Sequence, residues 1–229
     1  MSAPSSDHAS LTPELIAAAA VELIDAEGLD RASMRRLAAR LGVTTGSLYW
    51  HFADRTALLA AAAAHVLRDL QVPEQSLPWD EWIVDLARRY RRLLHQHPHL
   101  SPLVHTELAS NSRAQFHFIE AQLGNLRRAG FSGPGLVDAY NVEAAFIAGF
   151  VAIELSEPPR DNRATWADQR RSDLASAGEP LMAEHREQLE EAFMLRWHGG
   201  SERPMDRAFE AALRVLVDGL RASPDRTAR

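Results

Sequence analysis

The stretch SMRRLAARLGVTTGSLYWHF, Ser33 to Phe52, decides the fold. Its first half places Met34, Leu37, Ala38 and Leu41 at i, i+3, i+4 and i+7, the spacing of a helix with one apolar stripe. Ser33 stands where a side-chain oxygen caps such a helix, and Gly42 where a left-handed residue ends one. A second short helix is expected from Thr44 to about Phe52, seated by Val43 and Leu48, with Leu48 and Phe52 at core spacing. Tyr49, Trp50 and His51 crowd its far end in a chain that is only 7% aromatic. Two short helices joined at a tight glycine turn make a helix-turn-helix.

The flanks support this reading. Upstream, Leu15, Ile16, Ala19, Ala20, Leu23 and Ile24 form one helical stripe, started by Thr12 and Pro13 and ended by Gly28. Downstream, Asp54 caps a fourth helix carrying Leu58, Leu59, Ala62 and Val66, expected to run to about Val72 before Pro73. Beyond a proline-marked joint, helices are expected over Trp79–His97, His99–Ala109, Asn111–Ala129, Leu136–Ser156, Pro180–Trp197 and Pro204–Ala222. Glu157–Glu179 reads as a long polar connection. The helix at 136–156 is apolar on two faces, Val137, Tyr140, Ala144, Ile147 and Val151 on one and Val142, Phe146, Phe150 and Ile153 on the other, so it needs two covers. No strand pattern or repeat is present. The expected fold is all-α, with a disordered arm at 1–10, a helix-turn-helix domain with its linking helix at 11–72, and a larger helical domain at 73–229.

Bulk properties exclude several classes of function. The chain has 229 residues, 46% hydrophobic and 24% charged, which is ordinary for a globular protein. It has no cysteine, so disulfides, thiolate metal sites and cysteine nucleophiles are excluded. No apolar run approaches the roughly 20 residues a bilayer requires, and MSAPSSDHAS lacks the basic and apolar regions of a signal peptide. A cytoplasmic protein without a membrane partner is expected. The net charge of −6 argues against nucleic acid only if the total is considered. From Arg31 to Arg55, five arginines (31, 35, 36, 40 and 55) stand against Asp54 alone, a local +4, and the field at a contact is local.

In the helix-turn-helix reading, the exposed start of the second helix is Thr44, Thr45, Gly46 and Ser47. Small residues there let a helix tip enter a major groove and reach phosphates and base edges. Tyr49 carries a hydroxyl suited to phosphate. Trp50 divides between packing and DNA contact, and Arg36 and Arg40 between a solvated face and phosphate contact.

From about Ile16 to Val66 the chain resembles the DNA-binding domain of the tetracycline-repressor family: a helix ending in Gly28, SMRRLAARLGV, GSLYWHF and a capped fourth helix occur in order. The resemblance implies DNA contacts at Met34, Arg35, Thr45, Gly46, Ser47, Tyr49, Trp50 and His51, with Arg55 as a phosphate clamp. It implies a dimer formed by the helices at 136–156 and 204–222, double-stranded DNA with a pseudo-palindromic operator as partner, and a small-molecule effector. A weaker likeness continues through LVHTE, AQLGNLRRAGFS and FIAGF. It lays His105 on a metal-binding histidine, and Gln122 on a drug-contacting glutamine, of the family's tetracycline-binding members. Glu154 falls one position from the acid needed, and Leu86 and Gln71 replace polar drug contacts, so tetracycline is not the expected ligand. The pocket expected instead is aromatic, lined by Trp82, Tyr90, Phe116, Phe146 and Phe150, with His105 or His117 as polar anchor beside Gln122. Each of these residues has a plain core reading as well.

No cofactor or metal is expected: Pro98 interrupts the spacing among His95, His97 and His99, and HExxH is missing. No nucleophile–base pair or carboxylate dyad is placed, so the chain is read as a regulator and not an enzyme. Repression released by a ligand is the first expectation. An activator of the same fold, or a binding protein or enzyme with a vestigial reading head, are the alternatives.

Overall fold

The computed structural model describes residues 11–109, 116–156, 172, 176, 178–185 and 205–223, with the side chains of Leu108 and Ala109 left aside. Among the described residues it is helical, with no strand. The chain divides into two compact units, Met1–Ala129 and Gly130–Arg229. The expected arm at 1–10 lies outside the described residues.

The first unit opens with α1 (Pro13–Glu27). Thr12 caps it by accepting the Leu15 N–H, and Gly28, at φ 83°, closes it by donating to the Ile24 carbonyl at 2.8 Å. A 3-10 turn at Leu29–Arg31 leads to α2 (Met34–Leu41), and α3 (Thr45–Tyr49) and α4 (Arg55–Arg68) follow. Alanines on the buried faces of α1 and α4 (Ala17, Ala20, Ala62 and Ala63) bring the two axes close, and Ile16, Ile24, Leu58 and Val66 fill around them. Each large aliphatic side chain so buried contributes about 1.5–3 kcal/mol. α4 ends at Arg68, before the expected Val72. The N–H groups of Asp69 and Leu70 bond to the Val66 and Leu67 carbonyls, tightening the last turn as the chain heads for Pro73.

The joint before α5 (Trp79–Gln96) is held by side chains. The Trp82 indole N–H donates to the Pro73 carbonyl at 3.1 Å and the Asn125 amide to the Trp79 carbonyl at 2.9 Å. Arg128 spans the Asn125 and Gln75 side-chain oxygens at 2.8 and 3.1 Å. A 3-10 turn at Pro98–Leu100 packs on α1 and runs into α6 (Ser101–Ala109), which packs on α4. α7 (Phe116–Arg128) completes the unit. The part of its expected range at 111–115 lies outside the described residues.

The second unit holds α8 (Gly133–Glu154), which begins before the expected Leu136 because Ser132 and Pro134 already shape a helix start. By length and composition alone α8 could cross a bilayer, which corrects the expectation that no run comes near that length. It nonetheless carries two buried carboxylates, Glu143 and Glu154, as in the core helix of a folded protein. A short α9 (Pro180–Glu184) closes at His185, and the remainder of the helix expected to Trp197 lies outside the described residues. So does most of the Glu157–Glu179 connection, although Ser172 and Ser176 within it are helical. α10 (Asp206–Arg221) packs on α8 through Phe150 and Phe209, whose rings meet edge-on at 5.1 Å.

Candidate nucleic-acid interface

The turn between α2 and α3 is built from short-range chemistry. Ser33 caps α2 by accepting the Arg36 N–H at 3.3 Å. Gly42, at φ 67° and ψ 27°, supplies the left-handed residue that lets the Val43 N–H return to the Ala38 carbonyl at 3.0 Å. Thr44 then caps α3: its hydroxyl accepts the Ser47 N–H at 3.2 Å and shares a 2.9 Å hydrogen bond with the Ser47 hydroxyl. Leu48, fully buried, pins the helix to the core, and Phe52 is buried one turn on.

What stays outside is a continuous edge of Thr44, Thr45, Gly46, Tyr49, Trp50 and His51. Tyr49 is 53% exposed and Trp50 90% exposed. An indole left in water forgoes the burial of roughly 200 Å² of surface, about 5 kcal/mol at about 25 cal/mol/Å². Among the described residues the Trp50 backbone N–H bonds to the Gly46 carbonyl at 3.3 Å, while the ring adds little to the packing of the core.

The arginines sort themselves by partner. Arg36 pairs with Glu27 at 2.8 Å and Arg40 with Glu22 at 2.9 Å, so the acids of α1 neutralise the outer face of α2. Arg55 donates through Nε to the Ala32 carbonyl and through Nη2 to the Leu29 carbonyl, both at 2.7 Å. It therefore braces the turn between α1 and α2 while the residue itself stays exposed. Met34 is 7% exposed and packs in the core with Leu37 and Ala38, which removes it from the expected contacts. Arg31 and Arg35 are exposed and show no ion pair among the described residues.

The residues expected to line a ligand pocket fall in both units. In the first, Trp82 and Tyr90 are buried. The Tyr90 hydroxyl lies 3.3 Å from His105 Nε2, with the rings edge-on, and His105 Nδ1 bonds to the Ser101 carbonyl. A carbonyl only accepts, so Nδ1 carries the proton of that hydrogen bond, and Nε2 faces the Tyr90 hydroxyl. Burial pushes the Tyr90 hydroxyl well above the usual tyrosine range. Gln122 is buried too, but Phe116 and His117 lie exposed on the first turn of α7, against the expectation that they face a pocket. In the second unit Phe146 and Phe150 pack together at 6.1 Å. Glu154, one position from the acid that tetracycline-binding members need, accepts the Met205 N–H at 2.8 Å and so holds the start of α10. A groove of about 370 Å³ between α8 and α10 is lined by Phe131, Ala139, Val142, Val215, Leu216 and Leu220 among others, none of them an expected pocket residue. Among the described residues no group of three or more His, Asp or Glu side chains is placed to hold a metal ion.

Sequence reasoning missed the Arg55 brace and the Asp25–His97 pair, 72 positions apart, whose Oδ2 and Nδ1 meet at 2.7 Å. No local pattern signals either one.

Comparison with known proteins agrees with this geometry. Residues 16–62 match the profile described as bacterial regulatory proteins, tetR family, and residues 72–223 match the tetracyclin repressor-like C-terminal domain. The class A tetracycline repressor of transposon 1721 from Escherichia coli is 31% identical over 217 residues, 92% of this chain and 90% of that protein. An HTH-type transcriptional regulator of Saccharopolyspora erythraea is 33% identical over 147 residues, 63% of this chain and 61% of the regulator's length. Among solved structures, BioQ with its double-stranded DNA operator is 27% identical at a TM-score of 0.64, covering 93% of this chain and all (100%) of BioQ. ActR of Streptomyces coelicolor, in complex with (S)-DNPA, is 26% identical at 0.71, covering 93% of this chain and 98% of ActR.

Proposed function

The chain belongs to the tetR family of bacterial regulatory proteins, and from that premise we propose that it is a homodimeric repressor released from its operator by a small molecule. The observation that carries the reading is the edge of α3: Trp50 is almost wholly exposed beside Tyr49 and His51, behind a helix tip of small residues. Thr45, Gly46, Tyr49, Trp50 and His51 form the reading surface, with Arg35 supplying charge from α2. Thr44 and Ser47 hold the tip in shape through their shared cap. In this reading residues 11–72 form the head and 73–229 the regulatory part.

Dimerisation is supported by the exposed Val137, Val142, Ile153 and Val215 on α8 and α10 and by the apolar groove between these helices. A second copy packed there would bring two heads to successive major grooves, roughly 34 Å apart. The effector reading is supported by a relative solved with a small molecule, and in this chain the Tyr90–His105 pair is the polar element proposed to meet one.

The test is selection of double-stranded DNA from a random pool by the full-length protein, followed by anisotropy titration. The expected result is a pseudo-palindrome bound by twice the chain mass, with log K falling linearly as log salt rises. Recovery of no sequence above the starting pool at low salt refutes the proposal.

A further inference from the structure

We propose that Asp25 and His97 form a clasp that ties the orientation of the reading head to the start of α6, making them positioning residues for the switch and not contacts for DNA or ligand. The inference deepens the repressor reading and rests on it for its regulatory meaning.

Asp25 sits near the end of α1, and its neighbours on that helix are otherwise engaged, Glu22 with Arg40 and Glu27 with Arg36. Asp25 turns away from α2 to reach His97, the residue that ends α5. His97 is the anchor of the next turn: its carbonyl accepts the Leu100 N–H at 3.0 Å, and Pro98–Leu100 packs along α1. Leu100 and Ser101 are buried, the Ser101 carbonyl takes His105 Nδ1, and His105 Nε2 meets the Tyr90 hydroxyl. A contiguous set of packed and hydrogen-bonded groups therefore joins the Tyr90–His105 pair to the head, and the Asp25–His97 hydrogen bond is a side-chain link from this set to α1.

The link is poorly made as a stabilising device. Asp25 Oδ1 is buried with no hydrogen-bond partner among the described residues. With the Asp25 side chain 29% exposed and that of His97 21% exposed, solvent screens the pairing, and the unpartnered Oδ1 offsets much of what it contributes. A contact that has to open gains from that near balance. A small displacement of α6 then suffices to release α1, because packed elements move between discrete arrangements.

Four full-length variants test this: Asp25→Ala, His97→Ala, both together, and Asp25→Asn, which keeps an acceptor for the His97 N–H. Hydrogen exchange without DNA reads the amide of Gly28, which closes α1, and those of Leu100, Ser101, Leu103 and Val104. The expected result is that each alanine variant speeds exchange at both places by about fivefold or more, and that the double variant adds nothing, the signature of coupled groups. Asp25→Asn stays near the parent. Affinity for the selected DNA shifts in the same non-additive pattern. Acceleration confined to the substituted side overturns the clasp, as do additive effects or an Asp25→Asn variant as loose as Asp25→Ala. If the parent selects no DNA, the repressor reading fails while the exchange pattern still decides whether the clasp exists.

Discussion

Replacing Gly46 by alanine adds one methyl group to the outer side of α3. Inside the protein that methyl has room: a Cβ at Gly46 meets only the Thr44 hydroxyl oxygen, at the ordinary contact distance of 3.6 Å. Gly46 is also absent from the glycines with positive φ, so alanine adopts its backbone without strain. A helical glycine replaced under such conditions stabilises the fold by about 0.5–1 kcal/mol, a rise of about 1–4 °C in Tm for a chain of this length. Against DNA the sign reverses. In the proposed complex the Gly46 backbone faces the groove at the helix tip, and a methyl pushed into that contact costs about tenfold in affinity or more, about 1.4 kcal/mol. Differential scanning fluorimetry and anisotropy titration on one preparation measure both numbers. A raised Tm with unchanged affinity shows that the helix tip does not approach DNA closely and refutes the placement. A lowered Tm refutes the geometry of α3 itself.

Three further outcomes are expected. Trp50→Ala leaves Tm unchanged, since the indole is 90% exposed, and weakens DNA binding by about tenfold; a Tm loss would instead place Trp50 in the fold. Arg55→Ala removes donors from the Leu29 and Ala32 carbonyls and lowers stability by about 1 kcal/mol in urea unfolding; a loss of DNA affinity at full stability would instead make Arg55 a phosphate contact and not a brace. Tyr90 keeps its proton in the folded protein beyond the pH at which the unfolded chain loses it. The stability it contributes is fully present below about pH 10 and is lost as pH rises above that value. Urea midpoints at pH 9 and pH 11 should therefore fall less in Tyr90→Phe than in the parent, and equal falls would count against the burial of this hydroxyl.

Charge shows where sequence reasoning stopped. The run from Arg31 to Arg55 reads as a basic patch, but three of its five arginines are engaged within the head. Arg36 and Arg40 meet acids of α1, and Arg55 meets carbonyls more than twenty positions earlier. The sequence displays both sets of groups but not their pairing. Met34 lies on the apolar stripe that the helical period already turned inward, while the family resemblance set it on DNA, and its burial agrees with the period. Phe116 and His117 went the other way, out to the exposed first turn of α7.

By itself the sequence determined the helical plan, the caps of α1, α2 and α4, the glycine turns and the inward set of Leu37, Leu48 and Phe52. These depend on contacts three or four residues apart, which side-chain chemistry and helical period decide locally. Only the tertiary structure decided which arginines remain outside, that Trp82 and Asn125 hold the joint before α5, and that Asp25 reaches His97. Those pairings join positions 9 to 72 apart, where chain connectivity imposes no partner and only the packing of helix on helix selects one.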